Sequence, residues 1–109
     1  MCRAPRAAQT MGLTMAAYIV VDCDVTDPVR YEQYKRLAPA AIARYGGRYL
    51  VRGGEMAVLE GNWRPKRVVV LEFPTVERAR AFYESPEYIE ARTARKGAAQ
   101  MNMIVVAGV

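Results

Sequence analysis

Apolar residues fall in short runs separated by glycine, proline and charged segments. AAYIVVDCD (16–24) is rich in Val, Ile and Tyr and predicts a strand. Asp27 can cap the helix that follows, and Pro28 suits its first position. Tyr31, Tyr34, Leu37 or Ala38, Ala41 or Ile42, and Tyr45 recur at three-to-four spacing along one face of that helix. Pro39 is expected to kink it, because the ring displaces the carbonyl four residues back. Gly46–Gly47 ends it. RYLVR (48–52) and EMAVLE (55–60) read as two parts of one long strand or as a tight hairpin, with Gly53–Gly54 as a bulge or turn between them. After the loop GNWRP (61–65), KRVVVLEF (66–73) is a strand. Pro74–Thr75 opens a second helix, and Ser85–Pro86–Glu87 restarts it with a cap, a first-turn proline and an acid at the positive end of the dipole. Gly97 closes the run, and MNMIVVAGV (101–109) is a terminal strand.

The order is β-α-β-β-α-β, which predicts an α+β, ferredoxin-like antiparallel sheet with both helices on one face. The strands do not alternate cleanly between apolar and polar positions. Ile19–Val21, Val68–Leu71 and Ile104–Val106 are apolar on both sides. The helices can cover one face only, and an exposed apolar face would exceed the few hundred Å² that monomers usually show. The expectation is therefore a homodimer formed through the open sheet face, a dimeric α/β barrel. A loop or the N-terminal segment covering that face is the alternative.

A length of 109 residues fits one domain, expected over 15–109. The opening segment, MCRAPRAAQTMGLT, lacks the apolar stretch of a signal peptide. Residues 1–14 are read as a disordered tail or as sequence ahead of the true start, with Met11 and Met15 as alternative starts. The net charge is +5, and the body from Met15 carries 14 basic against 11 acidic residues, scattered rather than clustered. That pattern points away from nucleic acid. No stretch approaches the roughly 18 apolar residues that span a bilayer. Two cysteines, Cys2 and Cys23, form neither a disulfide framework nor a metal site, which fits the cytoplasm.

Histidine is absent. This removes the commonest general base, the usual haem ligand and the commonest zinc ligand. Chemistry here must use Asp, Glu, Tyr, Arg, Lys or Cys, and neither a metal nor a cofactor is expected. Arg52 and Arg67, with Trp63, Tyr18 and Tyr83, can line a pocket for a small anion, since arginine offers a carboxylate a planar fork and aromatic rings supply apolar walls. The competing reading pairs Arg52 or Arg67 with Glu60 or Glu72 and uses Trp63 as a plug at the barrel end. Asp22 and Asp24 lie on the strand face opposite Ile19, Val21 and Cys23, and Asp22 is a candidate ligand-binding or proton-accepting carboxylate. Ser85 is a helix cap rather than a nucleophile, for no histidine can activate it.

Gly46–Gly47, Arg52–Gly53–Gly54, Glu60–Gly61, Trp63, Pro65 and Arg67 occur in this order, followed by Glu72–Phe73–Pro74, Ala79, Phe82–Tyr83, Ser85–Pro86–Glu87–Tyr88 and Arg92. Over 16–108 the chain resembles the small bacterial family called domain of unknown function thirteen-thirty. The resemblance implies ferredoxin-like subunits in the dimeric α/β barrel superfamily. That superfamily includes cofactor-free monooxygenases, haem-dependent peroxidases, lactone isomerases and ligand-sensing regulator domains. Three functions are open: a module that binds a small metabolite, a cofactor-independent oxygenase or isomerase, and a structural protein with a filled barrel. Fold analogy alone assigns no reaction.

Overall fold

Each predicted cap is present and starts a helix where the sequence places it. In the computed structural model, which describes residues 15–109, strand β1 (Ala17–Val25) leads into helix α1 (Pro28–Arg44). The expectations for residues 1–14 lie outside the described residues. Asp27 Oδ1 accepts a hydrogen bond from the Arg30 amide at 3.1 Å and so satisfies one of the free donors of the first turn. The helix continues through Pro39 as one element, so the proline costs it a hydrogen bond and does not end it. Gly46 then takes a positive φ of 82°, and Gly47 passes so close to Phe73 that a Cβ would lie 2.5 Å from the ring. Strands β2 (Arg48–Arg52) and β3 (Arg67–Phe73) follow. Helix α2 (Val76–Tyr83) is capped by Thr75, helix α3 (Pro86–Ala94) by Ser85, and β4 (Ala99–Ala107) ends the fold.

The four strands are ordered β2-β3-β1-β4, and every neighbouring pair is antiparallel. This is the ferredoxin-like α+β arrangement predicted from the element order. On one face Ile19, Val21, Cys23, Leu71 and Phe73 are buried beneath Tyr31, Ala38, Ala41 and Ile42 of α1 and Ala79, Phe82, Tyr88 and Ala91 of α2 and α3. On the other face Val20, Val68 and Val70 are half-buried and Leu50, Val51, Ile104 and Val106 are exposed, Ile104 at 62%. No helix among the described residues covers this side.

Contrary to the expectation from the sequence, residues 55–60 are not a strand. β3 begins at Arg67, so a chain that continues past Gly53 finds no ladder partner in its own protomer, and residues 53–66 form an irregular arm. The arm helps to give a radius of gyration of 15.3 Å, against about 13 Å for a compact chain of 100 residues. Of the bulge or turn expected at Gly53–Gly54, the turn forms: Gly53, at φ 73°, leads the chain out of β2. A separate bulge lies between Tyr49 and Val51, at Leu50.

Candidate functional site

The Leu50 bulge decides which side chains share a face. In an unbroken strand Tyr49 and Arg52 would point to opposite sides. The extra residue shifts the alternation, so Tyr49 pairs across from Leu71 and Arg52 from Val69, both on the helix-covered face. Arg67 lies opposite Cys23 on that same face. Because β2 and β3 run antiparallel, the last residue of one and the first of the other meet at one end of the sheet. Arg52 and Arg67 are therefore neighbours at the mouth of a cavity between the sheet and α1.

This cavity has a volume of about 310 Å³. Val21, Val69, Leu71, Met101 and Met103 form its floor on the sheet, and Tyr31, Tyr34, Lys35, Ala38 and Ile42 of α1 form its roof, with Tyr49 and Tyr88 at the sides. Among the described residues no Asp or Glu lines it. The hydroxyls of Tyr34 and Tyr88 are 2.6 Å apart, and that of Tyr31 is 3.7 Å from Cys23 Sγ. Burial pushes the Tyr31 and Tyr34 hydroxyls well above the ordinary tyrosine value. The contact with Cys23 adds to this for Tyr31 and the Tyr88 hydroxyl for Tyr34. Tyr49 is raised by burial as well, against the opposing charges of Arg52 and Arg67. All three remain protonated near neutral pH and can donate hydrogen bonds to an anionic or carbonyl group.

The Arg52 guanidinium stacks over the Tyr49 ring at 4.2 Å. Neither arginine has a carboxylate partner among the described residues. Of the two expected partners, Glu60 forms no ion pair among the described residues, and Glu72 is held by Arg48 at 2.7 Å on the opposite face of the sheet, with Tyr18 donating to its other oxygen at 3.4 Å. Lys35 is paired with Glu32 at 3.1 Å, and both side chains are half-exposed.

The profile of the family described as Domain of unknown function (DUF1330) matches residues 16–109. The chain belongs to that family. Among solved structures it is similar to a protein of unknown function from Rhodopseudomonas palustris, with a TM-score of 0.71 and 18% identity over 99% of this chain and 95% of that one. It is also similar to SnoaB, a cofactor-independent oxygenase from Streptomyces nogalater (TM-score 0.58, 14% identity, 88% of this chain and 95% of that one). A dimeric ferredoxin-like protein of unknown function from Thermobifida fusca matches at a TM-score of 0.52 and 14% identity, over 87% of this chain and 92% of that one. No match was found among curated proteins.

The structure divides the residues singled out in the sequence of this DUF1330 protein. Arg52 and Arg67 share the cavity, but Tyr18, Asp22 and Trp63 belong to the open face and are separated from it by the sheet. Of the five residues read as able to line one pocket, only Arg52 and Arg67 are thus brought together in this protomer. The Trp63 indole donates to Asp22 Oδ2 at 2.9 Å, so it tethers the arm over the open face. Tyr83 stands on the outer surface of α2, where Arg92 stacks over its ring at 4.2 Å and donates to its hydroxyl at 3.2 Å. Tyr31, Tyr34, Lys35, Tyr49 and Tyr88 were not among the candidates. Tyr31 and Tyr34 are signalled only by their spacing on α1 and Tyr88 only by its place in the motif set, and neither signal tells a cavity wall from a filled core. No cluster of three or more His, Cys, Asp or Glu side chains is arranged to hold a metal ion among the described residues. Nor is any helix there long and apolar enough to cross a membrane.

Gly53 shapes the cavity mouth. Its φ of 73° disfavours any side chain, and the Arg67 guanidinium occupies the place where a Cβ would project. Gly53→Ala is expected to cost about 1–2 kcal/mol through the left-handed backbone alone, and to push the Arg67 guanidinium from its place. Thermal unfolding would measure the cost. A variant with the wild-type unfolding temperature would show that the glycine is dispensable.

Proposed function

We propose that this protein is a cytoplasmic homodimer whose protomers each bind a small anionic metabolite, without metal or organic cofactor, in the cavity between sheet and helices. The observation that carries this reading is the pair of arginines at the mouth of a tyrosine-lined cavity with no acid to neutralise them. Leaving a cation half-buried and unpaired costs free energy, and an incoming carboxylate would offset that cost through charge-assisted hydrogen bonds. The volume also meets the lower limit of ordinary ligand pockets, about 300 Å³, and this speaks against a completely filled interior. The homodimer is supported by the uncovered apolar sheet face and by the dimeric state of the Thermobifida fusca protein.

A cofactor-independent oxygenase or isomerase is the second reading, supported by the likeness to SnoaB. Proton transfer in such an enzyme would pass through the Tyr34–Tyr88 hydroxyl pair, because Asp22 lies on the far side of the sheet. Native mass spectrometry of the purified protein tests the first reading. Two protomers are expected, with a co-purified acid or an added small carboxylate such as benzoate retained in proportion to the protomers. A monomer that retains no carboxylate, and whose unfolding temperature no carboxylate raises, would remove both halves of the proposal. Turnover of a bound acid under air would favour the enzyme.

A further inference from the structure

The two arginines of the cavity are also the two roots of the arm. Arg52 is the last residue of β2 and Arg67 the first of β3, and residues 53–66 all lie between them. The Gly53 amide closes the roots with a hydrogen bond to the Val68 carbonyl at 2.9 Å. Beyond that bond the arm presents apolar side chains to solvent. Leu59 is 96% exposed, Trp63 62%, and Met56 and Val58 are exposed too. Met56, Val58, Leu59, Trp63, Pro65 and Val68 line an open apolar cleft of about 540 Å³. Val68 belongs both to this cleft and to the open sheet face, so arm and face form one continuous apolar surface. Trp63, hydrogen-bonded to Asp22, holds the returning limb against that face.

Such a surface is self-complementary. The arm offers apolar side chains with no place to bury them in their own protomer, and the sheet offers a flat apolar face with no helix over it. A two-fold axis brings each feature of one copy against the other feature of its partner. We propose that the arm couples dimerisation to ligand binding: it docks on the open sheet face of a second copy, and the docked arm fixes Arg52 and Arg67 where they grip the anion. This rests on the homodimer put forward above. Coupling of this kind is reciprocal, so an anion in the cavity tightens the dimer by the factor through which dimerisation tightens the anion.

The test uses the full chain and the substitution Leu59→Asp, with Val58→Asp as a second variant. Both residues are exposed, so the protomer should fold unchanged. Analytical ultracentrifugation is expected to show the dimer weakened by about thirtyfold or more, the loss typical of a central interface residue. Hydrogen exchange at the Gly53 amide is expected to speed up roughly tenfold, as a root released from its docked arm opens more often. Amides in the β1–β3 ladder should stay as protected as in the wild type. A dimer of undiminished strength in both variants would show that something other than the arm holds the copies together. A monomer with Gly53 as protected as before would show that the arm does not fix the roots. Either result overturns the proposal. Benzoate binding is measured on the same samples: if the wild type ignores benzoate while the dimer and Gly53 respond as expected, the anion reading fails and the coupling of arm to roots stands.

Discussion

Changing Arg52 and Arg67 together to methionine is expected to lower the affinity for a small carboxylate by about a hundredfold or more, while the unliganded protein stays folded. Each charge-assisted hydrogen bond is worth about 1.5–3 kcal/mol, and a loss of about 1.4 kcal/mol is tenfold in Kd. Two such bonds set the lower bound, because Arg52 is exposed and part of its contribution is screened by water. Arg67→Met alone should account for most of the effect, since Arg67 is half-buried and a charge there is felt more strongly. Lys35→Met should matter less, because Lys35 is exposed and already paired with Glu32. The stability readout separates two roles. If the arginines held the fold through ion pairs, removing them would lower the unfolding temperature. With no acidic partner among the described residues, methionine at these positions should leave it unchanged or raise it. Titration calorimetry with benzoate and a thermal melt of each variant give both numbers. A lower unfolding temperature with unchanged benzoate affinity would return Arg52 and Arg67 to a structural role.

The fold was legible because its punctuation and its burial pattern agree. Asp27, Thr75 and Ser85 each bond the backbone amide three residues on, as cap chemistry predicts. The doubly apolar strands signalled one face under helices and one face open, and β1 shows the division directly, with Ile19, Val21 and Cys23 buried and Tyr18, Val20 and Asp22 only half-buried. The parity that separates Asp22 from the core was therefore present in the sequence. Which face carries the cavity was not.

The site was less legible, for reasons of geometry. Arg52 reaches the cavity only because Leu50 is bulged, and nothing in RYLVR marks a bulge at a leucine when two glycines follow it. Arg67 joins it only because β2 and β3 are antiparallel neighbours, which is a matter of topology rather than of local pattern. The segment 55–60 is an apolar run between two glutamates, as a short strand can be, but a strand also needs a partner, and β3 begins too late in the chain to supply one. Sequence periodicity reports which side chains avoid water. It does not report whether the cover comes from the same chain. The apolar positions of the arm are thus as informative as those of the core, although they face solvent in a single protomer.

The largest expected loss of stability lies behind the cavity, at Phe82. Its side chain is fully buried, with ring centroids 5.0 Å from Phe73 and 4.3 Å from Tyr88. Phe73 comes from the sheet, Phe82 from α2 and Tyr88 from α3, so this stack joins three elements. The buried residues Ala79 and Ala91 are too small to move into a vacated site. Phe82→Ala is therefore expected to cost about 3–5 kcal/mol, the range for large-to-small changes in cores that cannot collapse, and to lower the unfolding temperature by on the order of 20 °C. The effect should reach the cavity. Tyr88 leans on Phe82 with one side of its ring and meets the Tyr34 hydroxyl at 2.6 Å with its own. A loosened Tyr88 should weaken carboxylate binding, though less than loss of the two arginines. Phe82→Leu keeps most of the volume and should recover much of both losses. Chemical denaturation of the two variants measures the difference. A cost below about 1 kcal/mol for Phe82→Ala, in the range of ordinary surface substitutions, would mean that the aromatic stack does not hold the helices to the sheet.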